Sequence, residues 1–542
     1  MILNLITLQS LKTMNLIKNK NLQIVLLVMF FLLFFKIDFR FEDGIFCCGD
    51  DYDYYSHAET ISQDFDFDYS NQLMGHEDRR FNLDGKIAPK GFVGSGILSS
   101  PFLLIGNLID SFLQNYQKDK YIVFMNYKLL IYSLSSVTYM FFTIYLLNKC
   151  LKFLNAKTTL LEIALIYSAS GVSYFAFERF SMSHIYETFS ITLIIFFSVK
   201  YYLDKNQNLY AFIIPITILI SLLVRLVNYY SLIIPLLISY IIKKRFDKNL
   251  YINPYFMFST LICIGIYCFI TKSIYGIITI NPQTLYGTSG MLGSYFLSES
   301  IFAFIGENIK NSFLILFGKE FGIFWFSPII FFGIFSSFFI SKKNNIFITT
   351  IFLLPFIQSF GAVLLWKSAA SSYGFRYLYS LVPLSIIYFF MHHKLNSFSL
   401  IRKVLVMFSF FSLFSILFFE TTILTQLSTI EEMNSFGRKI KYVEPEYLLG
   451  YLDSILQVES YFKIFVTSFL GVAIFKLLFF FIDLDSFISL LNKFNLPAQN
   501  EDFVNYLYEI QVVSIYKILL IIAYFLLLAY LIIQINKDNL KN

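Results

Sequence analysis

Two adjacent carboxylates, Asp50 and Asp51 in the segment GDDYDYY, follow about a dozen residues after an apolar run that ends at Phe39. A carboxylate close to the headgroup plane is placed to take a proton from a hydroxyl brought to it, which is general-base chemistry. The alternative for such a pair is a solvated acidic loop. Tyr54, Tyr55 and His57 come next, and their amphipathic rings suit a membrane interface and stacking on a sugar as substrate-binding groups. Farther on, Asp64, Asp66 and Asp68 alternate with aromatic residues, which in extended backbone sets three carboxylates on one side. Oxygen ligands of that kind suit Mg, Mn or Ca, or they simply face water, so a divalent cation and no cofactor at all both stay open.

The opposite charge is supplied at a distance. Lys86 and Lys90 in GKIAPKG, Lys319 in GKEFG and Arg376 in YGFRY are candidates to hold a phosphate, lysine as a point charge and arginine as a fork. Lys367 in LLWKSAASSYG belongs to the same set. Arg225 interrupts the apolar stretch SLLVRLVNYY, where an ionisable group is costly and therefore a functional suspect, a hairpin turn between two spans being the plain alternative. His184 and Glu187, three residues apart in RFSMSHIYETF, share one helix face and are candidate substrate contacts, although polar residues at a helix start account for them as well.

The elements that must position these residues are membrane helices. The chain has 542 residues, 57% of them hydrophobic and only 14% charged, more apolar surface than a soluble core of this length hides. Continuous apolar runs without period-two alternation select helices over a barrel, so the fold class is an all-α polytopic membrane protein. About twelve or thirteen windows are long enough to span. They cover 23–39, 122–147, 159–177, 184–203, 209–224, 226–242, 256–271, 321–340, 346–366, 378–391, 404–424, 462–481 and 515–535. The first is read as a retained span, because Asp38, Arg40 and Glu42 follow it in place of a small-residue cleavage site.

Positive charges sort the connections. Lys18 and Lys20, Lys149 to Lys157, Lys200 and Lys205, Lys243 to Arg245, Lys342 and Lys343, and Lys394 to Lys403 mark the cytoplasmic side by the positive-inside bias. The N-terminus then lies in the cytoplasm, and the loop 40–120, the connection 273–320 and the loops 367–376 and 425–461 share the outer face. Within the first of these, Ala58, Ile61 and Phe65 have helical spacing, 98–112 reads as an interfacial helix, and Gly91, Gly94 and Gly96 form a turn between them that could lie against a phosphate. The five cysteines have neither zinc nor disulfide spacing and read as small buried hydrophobes. No feature points to nucleic acid.

GDDYDYY, AETISQDFDFDYSNQ and GKIAPKGFVGSGILSSPFLL together resemble the first outer loop of bacterial GT-C class integral-membrane glycosyltransferases, the superfamily of protein mannosyltransferases and aminoarabinose lipid A transferases. KEFGIFWFSPII at 319–330 and WKSAASSYGFRYLYSLVPL at 366–384 are similar to later segments of that superfamily, and in the right order. The resemblance implies a GT-C like bundle with a catalytic module over 1–426, a large first extracytoplasmic loop with short interfacial helices, and a tail over 427–542 of one loop and further helices. It implies transfer of a sugar from a polyprenyl-phosphate donor to a hydroxyl of a glycan, lipid or protein, with inversion, at the outer face of a bacterial cytoplasmic membrane. Asp50 or Asp51 would be the base, and Lys86, Lys90 or Arg376 would hold the lipid phosphate. Two rivals of other kinds are a transporter or lipid-linked glycan flippase, which calls for paired broken helices, and a glycan polymerase, which calls for late arginine-rich outer loops.

Overall fold

The computed structural model describes residues 48–73, 81–83, 86–89, 91–116, 127–279, 309–310, 312–318, 322–340, 346–366, 374–392, 400–418, 431–433, 439–441, 456, 458–494 and 501–538. The span expected at 23–39 lies outside them. The described chain is almost entirely helical, with two short antiparallel hairpins, one pairing β1 (Phe81–Leu83) with β2 (Lys86–Ala88) and the other pairing β3 (Glu431–Met433) with β4 (Lys439–Lys441). Among the described residues six helices are long and apolar enough to cross a membrane, and a bent pair, 503–512 with 515–528, makes a seventh if it counts as one span. This is an all-α polytopic membrane protein.

The helices before the middle of the chain are α1 (Cys48–Glu59), α2 (Val93–Tyr116), α3 (Tyr127–Phe153), α4 (Leu160–Ser168), α5 (Val172–Phe177), α6 (His184–Leu203), α7 (Gln207–Val224), α8 (Ile234–Lys243) and α9 (Pro254–Tyr275). A 3₁₀ turn at Leu226–Ile233 leads into α8, so the window at 226–242 is a tight turn followed by a helix. The later helices are α10 (Ile323–Phe326), α11 (Pro328–Ile340), α12 (Ile346–Trp366), α13 (Val382–His392), α14 (Leu400–Phe418), α15 (Val458–Thr467), α16 (Phe469–Leu478), α17 (Leu484–Lys493), α18 (Glu501–Val512) and α19 (Ile515–Asp538). The last of these returns onto the core, where Tyr524 and Thr138 of α3 share a hydroxyl hydrogen bond.

Three expected spans are interrupted. The window 159–177 breaks between α4 and α5 at Gly171, whose φ of 80° is open to glycine at little cost. The window 321–340 breaks at Ser327, and 462–481 breaks at Ser468. Backbone freed at such breaks must find partners inside the protein. The first two breaks supply each other: Ser327 donates to the Ser170 carbonyl at 2.6 Å, and Ser412 of α14 donates to the carbonyls of Ala169 at 2.6 Å and Phe326 at 3.1 Å.

The expected interfacial helix at 98–112 is instead the 24-residue α2, of which Val93–Leu113 is long and apolar enough to span. It runs antiparallel to α3, with Asp110 accepting from the backbone of Tyr127 at 2.8 Å and Lys128 at 2.9 Å, and Tyr139 donating to the Leu98 carbonyl at 2.7 Å. Gly94 and Gly96 are not a flexible turn but contact points of this helix. A Cβ on Gly94 would stand 2.3 Å from the Val224 nitrogen, and one on Gly96 would stand 2.4 Å from the His57 Cβ. The helix expected around Ala58 is present, but it passes into a π turn at Thr60–Asp64 that ends at Phe65 in left-handed backbone, φ 59°. The wider turn rotates Phe65 out of the expected stripe, leaving it 75% exposed while Ala58 is buried.

The lysine-bearing connections gather at one end of the bundle. Lys200 lies 4.3 Å from the Phe153 ring centroid, Tyr202 donates to the Asp247 carbonyl at 3.3 Å, and Asn253 bonds Asn208 at 3.4 Å. At the same end of α4, Arg402 grips Glu162 with two nitrogens, 2.6 Å for Nε to Oε1. The 20 residues of α6 rise about 30 Å from His184 to that end.

Candidate active site

The end of the bundle opposite the lysines holds a buried group of acids, arginines and tyrosines drawn from five segments. Asp51 comes from α1, and Arg179 and Ser181 come from the turn 178–183 that joins α5 to α6. Arg179 donates Nε at 3.1 Å and Nη2 at 2.5 Å to Oδ2 of Asp51, and Ser181 donates to Oδ1 at 2.7 Å. Asp51 is fully buried and Arg179 nearly so. Charges in such a place persist only when paired, and removing one partner of a buried pair costs about 3–5 kcal/mol.

Beside this pair, Ser183 donates to the Tyr54 hydroxyl at 3.2 Å. His184 and Glu187 open α6, with Nδ1 of His184 3.5 Å from Oε2 of Glu187, and that same oxygen accepts from Arg225 at 3.1 Å. Arg225 sits where α7 ends in extended backbone before the 3₁₀ turn, so its side chain enters the cluster instead of continuing the helix. The His184 ring packs on Phe175 at 4.4 Å and Tyr379 at 6.0 Å.

The fifth segment is the 3₁₀ turn Arg376–Leu381. Gly374 precedes it with φ 59°, a conformation that favours glycine, and a Cβ there would stand 2.8 Å from the Tyr379 hydroxyl. Tyr377 is flanked by two guanidinium groups, those of Arg225 and Arg376, each 5.1 Å from its ring centroid. Arg376 also donates to the Tyr377 hydroxyl at 3.2 Å. Two arginines against one aromatic ring concentrate positive charge suited to an anionic group.

Of the residues singled out in the sequence, the structure brings together Asp51, Tyr54, His184, Glu187, Arg225 and Arg376. Asp50 lies in α1 next to Asp51, and its side chain is outside the described residues, as is that of Lys86, which opens β2. Lys90 and Lys319 lie wholly outside them. Two others are placed away from the cluster. Tyr55 packs on Tyr132 at 5.2 Å and donates to Glu59 at 3.3 Å.

His57 is fully buried, with Nε2 2.9 Å from the Gly91 carbonyl and Nδ1 2.7 Å from the Tyr69 hydroxyl. The carbonyl can only accept, so Nε2 carries the proton and Tyr69 donates to Nδ1. Burial pushes the His57 pKa down to about 4, keeping the ring neutral. His57 therefore latches α1 to the two segments that follow it, at Tyr69 and Gly91.

The three aspartates of QDFDFDYSNQ are exposed and spent on their own turn. Asp64 accepts from Asn71 at 3.0 Å, Asp66 from the Asp68 backbone at 3.0 Å, and Asp68 from the Ser70 backbone at 3.0 Å. Among the described residues no group of three or more His, Cys, Asp or Glu is arranged to hold a metal ion.

Arg179, Ser181 and Ser183 were not expected. They lie in a short closed turn between two apolar windows, in which the Met182 nitrogen donates to the Arg179 carbonyl at 3.1 Å, and no hydropathy pattern marks them.

No protein-family model matches the chain, and no curated protein does. Among solved structures it is similar to the Archaeoglobus fulgidus oligosaccharyltransferase in its apo form, at 14% identity over 73% of this chain and a TM-score of 0.34. It is also similar to the archaeal oligosaccharyltransferase AglB from the same organism in complex with an inhibitory peptide and a dolichol-phosphate, at 12% identity over 74% and a TM-score of 0.35. The chain spans 56% of the length of each.

Proposed function

We propose that this protein is a membrane glycosyltransferase of GT-C type that moves a sugar from a polyprenyl-phosphate donor to an acceptor hydroxyl at the outer face, inverting the anomeric centre. The observation that carries the reading is the buried cluster itself: Asp51, next in sequence to Asp50, shares one end of the bundle with Arg225 and Arg376 over Tyr377. Arginine and acid are both needed, because in this reaction the departing phosphate gains charge while the acceptor loses a proton.

Both oxygens of Asp51 already accept from Arg179 and Ser181, so the base role falls to Asp50. It takes the proton of the acceptor hydroxyl as that oxygen bonds to the anomeric carbon. The bond from that carbon to the phosphate oxygen breaks, and the phosphate leaves with the electron pair. Arg376 and Arg225 hold it, with Lys86, Lys90 and Lys319 as further candidates from the outer loops, and Tyr54, His184 and Glu187 contact the sugar. The catalytic module runs over 1–426, and the tail 427–542 braces it. By the positive-inside bias the lysine end is cytoplasmic and the cluster faces outward, in a bacterial cell envelope.

One observation favours a second reading. The interrupted helices that meet at Ser170 and Ser327 are a device that carriers use, so export of a lipid-linked glycan is the alternative. The deciding experiment supplies membranes containing the protein with a panel of labelled polyprenyl-phosphate sugars and assigns the product's anomeric configuration by NMR. Transfer with inversion that is lost in Arg376→Ala supports the transferase; label that crosses the membrane still attached to its lipid supports the carrier.

A further inference from the structure

The turn 178–183 approaches α1 with three side chains at alternate positions. Arg179 and Ser181 take the two oxygens of Asp51, and Ser183 takes the hydroxyl of Tyr54 one helical turn farther on. The turn is itself held: the Arg179 nitrogen donates to the Tyr174 carbonyl at 3.2 Å, and the Met182 nitrogen donates to the Arg179 carbonyl at 3.1 Å. Nη2 of Arg179 also reaches the Met182 sulfur at 3.8 Å. A guanidinium fixed at its backbone, at a carboxylate and at a neighbouring sulfur has little freedom left.

We propose that Arg179 is a positioning residue that acts through Asp51 to set the place and tilt of the first turn of α1, and hence of Asp50. The inference rests on the transferase reading of the cluster and adds to it a group on the turn before α6. The ion pair at Asp51 holds this part of α1 inside the protein. An error of an ångström in a reacting group is enough to cost about 100-fold in rate.

The test measures sugar transfer by wild type, Arg179→Gln, Asp51→Asn, the double variant and Ser181→Ala, each normalised to folded protein by size-exclusion of the detergent-solubilised sample. The expected result for Arg179→Gln is a kcat lower by about 100-fold with the donor KM changed less than about threefold. The double variant is then no slower than Asp51→Asn alone, because the carboxylate charge through which Arg179 acts is already gone. Ser181→Ala, which removes one hydroxyl and is the milder lesion should Arg179→Gln fail to fold, lowers kcat by about tenfold.

A kcat within about threefold of wild type in both Arg179→Gln and Ser181→Ala, with wild type active, overturns this inference and leaves the transferase reading standing. Losses that multiply in the double variant overturn it too, since they mean separate roles. A wild type that transfers from no donor overturns both.

Discussion

His57 shows what a buried neutral ring contributes. Its two nitrogens are matched to a carbonyl and a tyrosine hydroxyl, and its folded pKa of about 4 lies below the unfolded value near 6.5. Below 6.5 the unfolded chain binds a proton that the folded one refuses, so the latch's stability is complete above that pH and declines as pH falls toward 4. The whole effect is about 3 kcal/mol at a site this buried. Thermal melting in detergent from pH about 7 to about 5 is expected to fall more steeply for wild type than for His57→Gln. Equal slopes would show that His57 does not titrate between the two states. The sequence made His57 a candidate at once, by its closeness to Asp50 and Asp51, but not its role, which depends on Tyr69 and Gly91 meeting it in space. Arg179 was illegible for a related reason: its partner is 128 residues away, and it stands between two apolar windows where hydropathy reads only a connection.

At the scale of elements, hydropathy located α6 to the residue at both ends, because polar residues flank a clean apolar run. It failed where apolarity continues through a break in the backbone. Nothing in a sliding average marks Gly171 or Ser327, yet both interrupt the helix, and the freed carbonyls are bonded by serines from other segments. The opposite error occurred at α2, where VGSG and ILSS dilute the signal and the glycines read as a loop. Those glycines are there so that helices can touch. Gly94→Ala would drive a Cβ against the backbone of Leu223 and Val224, which cannot yield as a side chain would. The expected cost is about 2 kcal/mol, seen as a lowered melting temperature. Gly265→Ala in α9, where nothing stands within 4 Å of the new Cβ, is expected to be neutral or stabilising by about 0.5 kcal/mol. Equal effects at the two sites would contradict the packing assigned to α2.

For the whole molecule, the distribution of charge carries more than its sum of +6. Lys149, Lys152, Lys200, Lys205, Lys243 and Lys244 gather at one end, and the acid and arginine cluster lies about 30 Å away at the other. The orientation that follows is tested by cysteine labelling in a background with the native cysteines replaced by serine. A membrane-impermeant maleimide is expected to label Asp66→Cys in intact cells and Lys205→Cys only after permeabilisation; both positions are exposed in the folded protein. The reverse pattern would turn the molecule over.

The proposed role of α1 in glycosyl transfer is decided by the rate of labelled sugar transfer in Asp50→Asn and Asp51→Asn beside wild type, at equal folded protein. Asp50→Asn is expected to fold normally and to transfer about 1,000-fold more slowly, as loss of a general base requires. Asp51→Asn is expected to lose stability first, by about 3 kcal/mol, because Arg179 is left buried beside a neutral partner. Asp50→Asn transferring at the wild-type rate would contradict that role.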